Sequence, residues 1–100
     1  MKYEIEFRPL AEVDLFNIYR YIARRSGIDA AGSYVERIGD ACQALELSPK
    51  RGTRRDDLGR GIRIIGFERR IAIAFRVTGR KVEIMRVLYG GRDLGQALKE

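Results

Sequence analysis

The apolar residues of this chain change period once, and that change restricts the fold more than any motif. Between Ala11 and Leu45 they recur every three or four positions, as on one face of an α-helix. From Ile62 onward they recur every second position, as on one face of a β-strand. A helical stripe followed by a run of strands predicts an α+β domain with its helices gathered on one side of a sheet. At 100 residues the chain has the length of a single domain, spanning 1–100.

The elements follow from local signals. "KYEIEF" places Tyr3, Ile5 and Phe7 on one face of a first strand. Pro9 suits a helix start, where its missing N–H is not needed. The helix that follows carries Ala11, Leu15, Ile18, Tyr19 and Ile22 at helical spacing, has Arg24 and Arg25 in its last turn, and stops at Gly27. Asp29 is the expected N-cap of a second helix. Its stripe is Ala31, Tyr34, Val35, Ile38, Ala41, Cys42 and Leu45, and it ends near Ser48–Pro49. The short link makes the two a helical hairpin. A polar loop, "SPKRGTRRDDLGRG", leads to three strands: "IRII", "RRIAIAFRV" and "KVEIMRVLY". "GFE" and "TGR" are hairpin-length turns, so these strands form an antiparallel meander. The predicted order is β-α-α-β-β-β, a helical hairpin packed on a mainly antiparallel four-stranded sheet.

Composition excludes several kinds of chemistry. The chain has no histidine and one cysteine, Cys42. That rules out a serine–histidine or cysteine–histidine nucleophile and gives no basis for a zinc or haem site. Cys42 belongs to the helical stripe and reads as a small core residue. No cofactor or metal is expected, and no catalytic residue is assigned. No apolar run is long enough for a membrane span, and the first residues lack a signal-peptide block, so a cytoplasmic protein is expected.

The net charge of +6 is unevenly placed. Residues 1–49 hold six Lys/Arg and eight Asp/Glu, a net of −2; residues 50–100 hold fourteen and six, a net of +8. Arginine dominates the basic half and offers a planar fork suited to carboxylates and phosphates. An acidic partner is one reading of this; a solvated face that keeps the protein soluble is the other. Direct nucleic-acid binding is not expected, because the second helix carries only Arg37 against Asp29, Glu36, Asp40 and Glu46.

The strand faces locate a candidate surface. In "RRIAIAFRV", Ile71, Ile73, Phe75 and Val77 must meet the helices. The opposite face, Arg70, Ala72, Ala74 and Arg76, is a shallow floor with an arginine rim. Either a partner fills this floor, or a tail or helix of the same chain covers it. The last strand is apolar on both sides: Val82, Ile84 and Leu88 alternate with Arg86 on one, Met85, Val87 and Tyr89 with Glu83 on the other. After it, "YGGRD" leaves the sheet edge by way of Gly90 and Gly91, and Asp93 is positioned to hold Arg92. The Arg92–Asp93 pair alternatively only closes the fold. The expected partner-binding set is Arg63, Arg70, Ala72, Ala74, Arg76, Arg86, Tyr89 and Arg92.

The order of elements, with "LAEVDLFNIYRYIARRSG", "ALELSPKRGTRRDDL" and "RRIAIAFRV" followed by "VEIMRVLYGGRDL", resembles the RelE/ParE superfamily of toxins from type II toxin–antitoxin modules. The resemblance spans nearly the whole chain and is closer to the ParE-like branch. It implies a toxin that inhibits DNA gyrase and is neutralised by a ParD-like antitoxin whose C-terminal segment wraps it. The RelE-like branch, which cuts messenger RNA on the ribosome, is the alternative, as is a non-toxic antitoxin-binding relative. Arg70 and Arg92 match two arginine positions of the RelE-like enzymes, but the tail "LGQALKE" lacks their terminal acid/base group. Tyr89 would replace it only if its pKa fell by several units; Glu83 and Asp93 are the other available bases.

Overall fold

A computed structural model describes residues 2–90 and 92–99. Gly91, the second glycine of "YGG", lies outside the described residues, as does Glu100 at the end of the tail. The elements are β1 (Glu4–Phe7), α1 (Pro9–Ser26), α2 (Ile28–Gln43) with a 3₁₀ turn at Ala44–Glu46, β2 (Thr53–Arg54), β3 (Ile62–Phe67), β4 (Ile71–Thr78), β5 (Lys81–Tyr89) and α3 (Leu94–Leu98). The strands form one sheet in the order β1-β5-β4-β3-β2. β3, β4 and β5 are the expected antiparallel meander; β1 pairs parallel to β5, from Glu4 opposite Lys81 to Phe7 opposite Ile84.

The helices form where the apolar stripes require. Pro9 opens α1, and Gly27 closes it with φ of 94°, its N–H donating to the Ala23 carbonyl. α2 starts two residues earlier than expected. Gly27 is its N-cap residue, and Asp29 falls in the first turn, where its charge favours the helix dipole without capping a backbone N–H. The helix also ends sooner, at Gln43. All seven predicted stripe residues of α2 are buried or half-buried, with Ala31, Ile38, Cys42 and Leu45 fully enclosed. All of them but Ala31 pack with Ala11 and Ile18 of α1 against Ile71, Ile73, Phe75, Val82, Ile84 and Val87 of the sheet.

Two small elements were not expected. β2 makes the sheet five-stranded: Thr53 lies opposite Ile64 and Arg54 opposite Arg63. Gly52 permits this approach, because a Cβ there would lie 2.4 Å from the Ile64 carbonyl oxygen. Within the tail, Asp93 Oδ1 accepts the Gln96 N–H at 3.1 Å and caps α3. The β3–β4 turn also differs: β3 runs through Gly66 and Phe67, and the reversal falls at Glu68 and Arg69, both at positive φ. Glu68 is tied down by an ion pair with Arg37 of α2, leaving Arg69 and Arg70 exposed at the tip.

One residue of β5 redistributes its side chains. Phe75 pairs with Ile84, but Ala74 pairs with Arg86, so Met85 is an extra residue in a β-bulge. After the bulge the faces exchange. Val82, Ile84, Val87 and Tyr89 therefore share the helix-covered face, and Glu83, Arg86 and Leu88 share the other. The strict alternation expected from sequence, which joined Val82 and Ile84 to Arg86 and Leu88, is corrected by that one inserted position.

Burial pushes the Cys42 thiol up to about 12 from an ordinary value of 9.0. At pH 8 native Cys42 should alkylate roughly a thousandfold more slowly than in urea, since the thiolate is the nucleophile. Because the folded pKa is raised, the unfolded chain loses this proton first. Stability is therefore unaffected by the thiol below pH 9 and falls between pH 9 and about 12. Iodoacetamide labelling followed by mass spectrometry checks the first expectation; equal rates in the two conditions would contradict the buried placement.

Candidate partner-binding site

The eight residues singled out from the sequence do not form one surface. Ala72, Ala74 and Arg76 do share the second face of the sheet, with Ile62, Ile64 and Gly66 of β3 beside them. Yet Ala74 is completely buried, as are its neighbours Ile62 and Leu88, at 3% and 2% exposure. Arg86 lies opposite Ala74, and its Nη1 donates to the Ala97 carbonyl at 2.7 Å, which brings α3 against this face. Leu58 of the loop before β3 meets α3 at Gly95. The chain's own tail and loop therefore cover the floor around Ala74, while Ala72 and Arg76 remain half-exposed on it. Arg76 donates from Nη2 to Glu83 at 3.4 Å, while its Nε is buried without a partner.

Arg86 is also engaged on its other side. β1 stops opposite Ile84, and α1 takes over the edge of β5 beyond it. Asp14 of α1 accepts Arg86 Nε at 2.7 Å and Nη2 at 2.8 Å, and accepts the Val87 N–H at 3.0 Å. Both side chains are largely buried, at 7% and 14% exposure. Arg86 is thus a structural clamp joining α1, β5 and α3, not an outward cation. Asp14 was legible in principle: it stands three residues after Ala11 and four before Ile18, on the face that α1 buries, where a carboxylate needs a partner. Arg63 falls on the helix side, opposite Phe75, and donates to the Lys50 carbonyl at 2.9 Å. Arg92 makes no bond to Asp93, whose carboxylate is used to cap α3.

The three remaining residues do converge. Arg70, Tyr89 and Arg92 meet at the end of the sheet where β5 finishes and the β3–β4 turn lies. The Gly90 N–H bonds the Arg70 carbonyl there. α1 and α2 bring Tyr21, Arg25 and Tyr34 to the same place. The rings of Tyr21 and Tyr89 stand edge to face at 5.5 Å, and the Arg25 guanidinium lies over Tyr21 at 4.7 Å. The Tyr34 hydroxyl is buried and unpartnered. Burial, then the neighbouring Tyr34 and Tyr21, push the Tyr89 hydroxyl above its usual range; Arg70 and Arg25 only partly oppose this. Among the described residues no carboxylate lies within ion-pair distance of Arg25, Arg70 or Arg92. A cleft of about 380 Å³ opens between α1 and β5 here, lined by Asn17, Tyr21, Val87, Tyr89 and Arg92. Tyr21 and Arg25 were legible in principle: an aromatic outside the apolar stripe, four residues before an arginine, is an exposed stacked pair.

This chain belongs to the ParE toxin family of the type II toxin–antitoxin system parDE, whose family model matches residues 5–94. It is 29% identical over 94 residues to Toxin ParE3 of Caulobacter vibrioides, covering 94% of this chain and 92% of that one. In structure it resembles the chromosomal ParDE toxin–antitoxin system of P. aeruginosa, with a TM-score of 0.78 and 25% identity over 88% of this chain and 96% of that one. The RelBE2 toxin–antitoxin complex of Mycobacterium tuberculosis shares the fold, with a TM-score of 0.55 at 20% identity, covering 89% of this chain and 99% of that one.

Proposed function

We propose that the protein is a cytoplasmic toxin that inhibits DNA gyrase and is held inactive by a ParD-like antitoxin. The single observation that carries this is the ParE family match across residues 5–94. The site favours it over messenger RNA cleavage. A general base operating at neutral pH needs a pKa near 7, and the Tyr89 hydroxyl is displaced the opposite way, upward. Glu83 lies between Arg76 and Arg8, and Asp93 caps α3, so both other candidate bases have structural partners. The exposed cations Arg70 and Arg92, with Tyr21 and Tyr89 between them, suit a protein partner with acidic residues.

Induction without the antitoxin is expected to stop growth and to accumulate gyrase–DNA cleavage complexes, measured by trapping covalent protein–DNA adducts. Transcript cuts inside translated codons, with no adducts, would assign the protein to the nuclease mechanism instead.

A further inference from the structure

Two clefts lie in succession along the edge of β5 that β1 leaves uncovered. The first, about 360 Å³, is bounded by Pro9, Leu10, Met85, Ala97 and Leu98, with Arg8 and Arg86 beside them. The second is the cleft beside Tyr21, Tyr89 and Arg92. They follow one another on both walls: Pro9–Leu10 precedes Asn17–Tyr21 on α1, and Met85–Arg86 precedes Val87–Tyr89 on β5. Asp14 and Arg86 lie between them, and their mutual bonding removes net charge from the middle of the groove. Each end carries an arginine, Arg8 at the first and Arg92 at the second, and the aliphatic side chains Leu10 and Leu98 gather at the first.

The groove does not invite an added strand. Val87 N–H is occupied by Asp14, and the Tyr89 carbonyl accepts the Arg92 N–H. Its recognition must rest on side chains at the two ends. We propose that a single acidic segment of the antitoxin occupies this groove. It would seat an aliphatic side chain beside Leu10 and Leu98, and a carboxylate between Tyr21, Tyr89 and Arg92. The assignment rests on the toxin–antitoxin reading above and names where the partner's anchors go. Leu10 and Tyr21 are eleven residues apart on α1, about 16 Å at the helical rise. An extended chain spans that in about five residues. A carboxylate matches the guanidinium fork of Arg92 and accepts from a tyrosine hydroxyl. A nucleic-acid strand fits less well, because its charge repeats at every phosphate while Asp14 neutralises Arg86 in the middle of this groove. A second copy of this chain is disfavoured by the charge of +6 on each.

The test titrates the full-length ¹⁵N-labelled protein with the peptide acetyl-Leu-Ser-Ser-Ser-Glu-Glu-amide and follows backbone amide shifts. Shifts confined to Leu10–Tyr21 and Met85–Arg92 are expected. Glutamine in place of both glutamates should weaken binding about tenfold or more, the loss of a charge-assisted pair. Arg92→Ala and Tyr21→Ala, both at exposed positions, should do the same with unchanged circular dichroism. No shifts, shifts elsewhere, or equal binding of the glutamine peptide would overturn the placement. So would the same shifts produced more strongly by oligo-dT, or by raising the protein concentration alone. Growth arrest and rescue by the antitoxin are scored separately. If the Arg92→Ala/Tyr21→Ala double variant is still toxic and is rescued by the antitoxin with unchanged affinity, the toxin reading stands and this groove is not the contact.

Discussion

Asp14→Ala is expected to remove about 3–5 kcal/mol of stability, the range for breaking a buried ion pair from one side. The carboxylate satisfies two guanidinium nitrogens of Arg86 and the N–H of Val87. Alanine would leave Arg86 buried at the junction of α1, β5 and α3 with only the Ala97 carbonyl among these acceptors. It would also orphan a buried backbone donor at the open edge of β5. Against a total stability of roughly 5–15 kcal/mol for a domain of this kind, the change brings the protein near its unfolding threshold. Urea denaturation should show a lower midpoint at an unchanged slope. Asp14→Asn should fall between, since the amide oxygen still accepts from Val87 while the charge opposite Arg86 is lost. A loss under about 1 kcal/mol for Asp14→Ala would mean that Arg86 finds another anion or reaches water, and that it does not clamp the three elements.

Phe75→Ala should be comparably severe, costing about 3–5 kcal/mol. Phe75 is completely buried at the centre of the sheet, opposite Ile84 on β5 and Arg63 on β3, and it packs into the core formed with both helices. Its neighbours are fixed by strand pairing and cannot collapse into the space left behind, so the cavity adds to the lost burial. Phe16→Ala is the control: this residue is 61% exposed on α1, and its replacement should change stability by no more than about 0.5 kcal/mol. Thermal and urea unfolding of both variants checks the contrast. Similar losses for the two would place the core elsewhere.

The outline of this fold was legible because its signals are local. The helical stripe from Ala31 to Leu45 names the residues that are buried, and the alternation in Ile71, Ile73 and Phe75 names the strand face that meets them. Turn positions were less legible. The β3–β4 reversal uses Glu68 and Arg69 at positive φ, where the usual glycine or asparagine is missing. Gly66, which read as part of the turn, is an ordinary strand residue opposite Ala72. α3 has only five residues, too few to be stable alone, and its presence depends on the Asp93 cap and on the bond from Arg86 to Ala97.

The candidate site was only partly legible, for a related reason. Arg70 was singled out as a rim arginine of the β4 floor, and Tyr89 and Arg92 as the close of the last strand; Tyr21, Arg25 and Tyr34 join them only because α1 and α2 bring them to the same edge of the sheet. The amino-acid sequence by itself determined the class of fold, the core face of each helix and of β4, and the basic character of the second half. Tertiary structure alone decided that Met85 bulges and exchanges the faces of β5, that Arg86 turns inward to Asp14, and that α3 closes the floor over Ala74. The physical reason is range. Periodicity records which neighbours a residue has along its own element, whereas an inserted residue or a buried charge is settled by partners some seventy positions away, as in the pair Asp14 and Arg86.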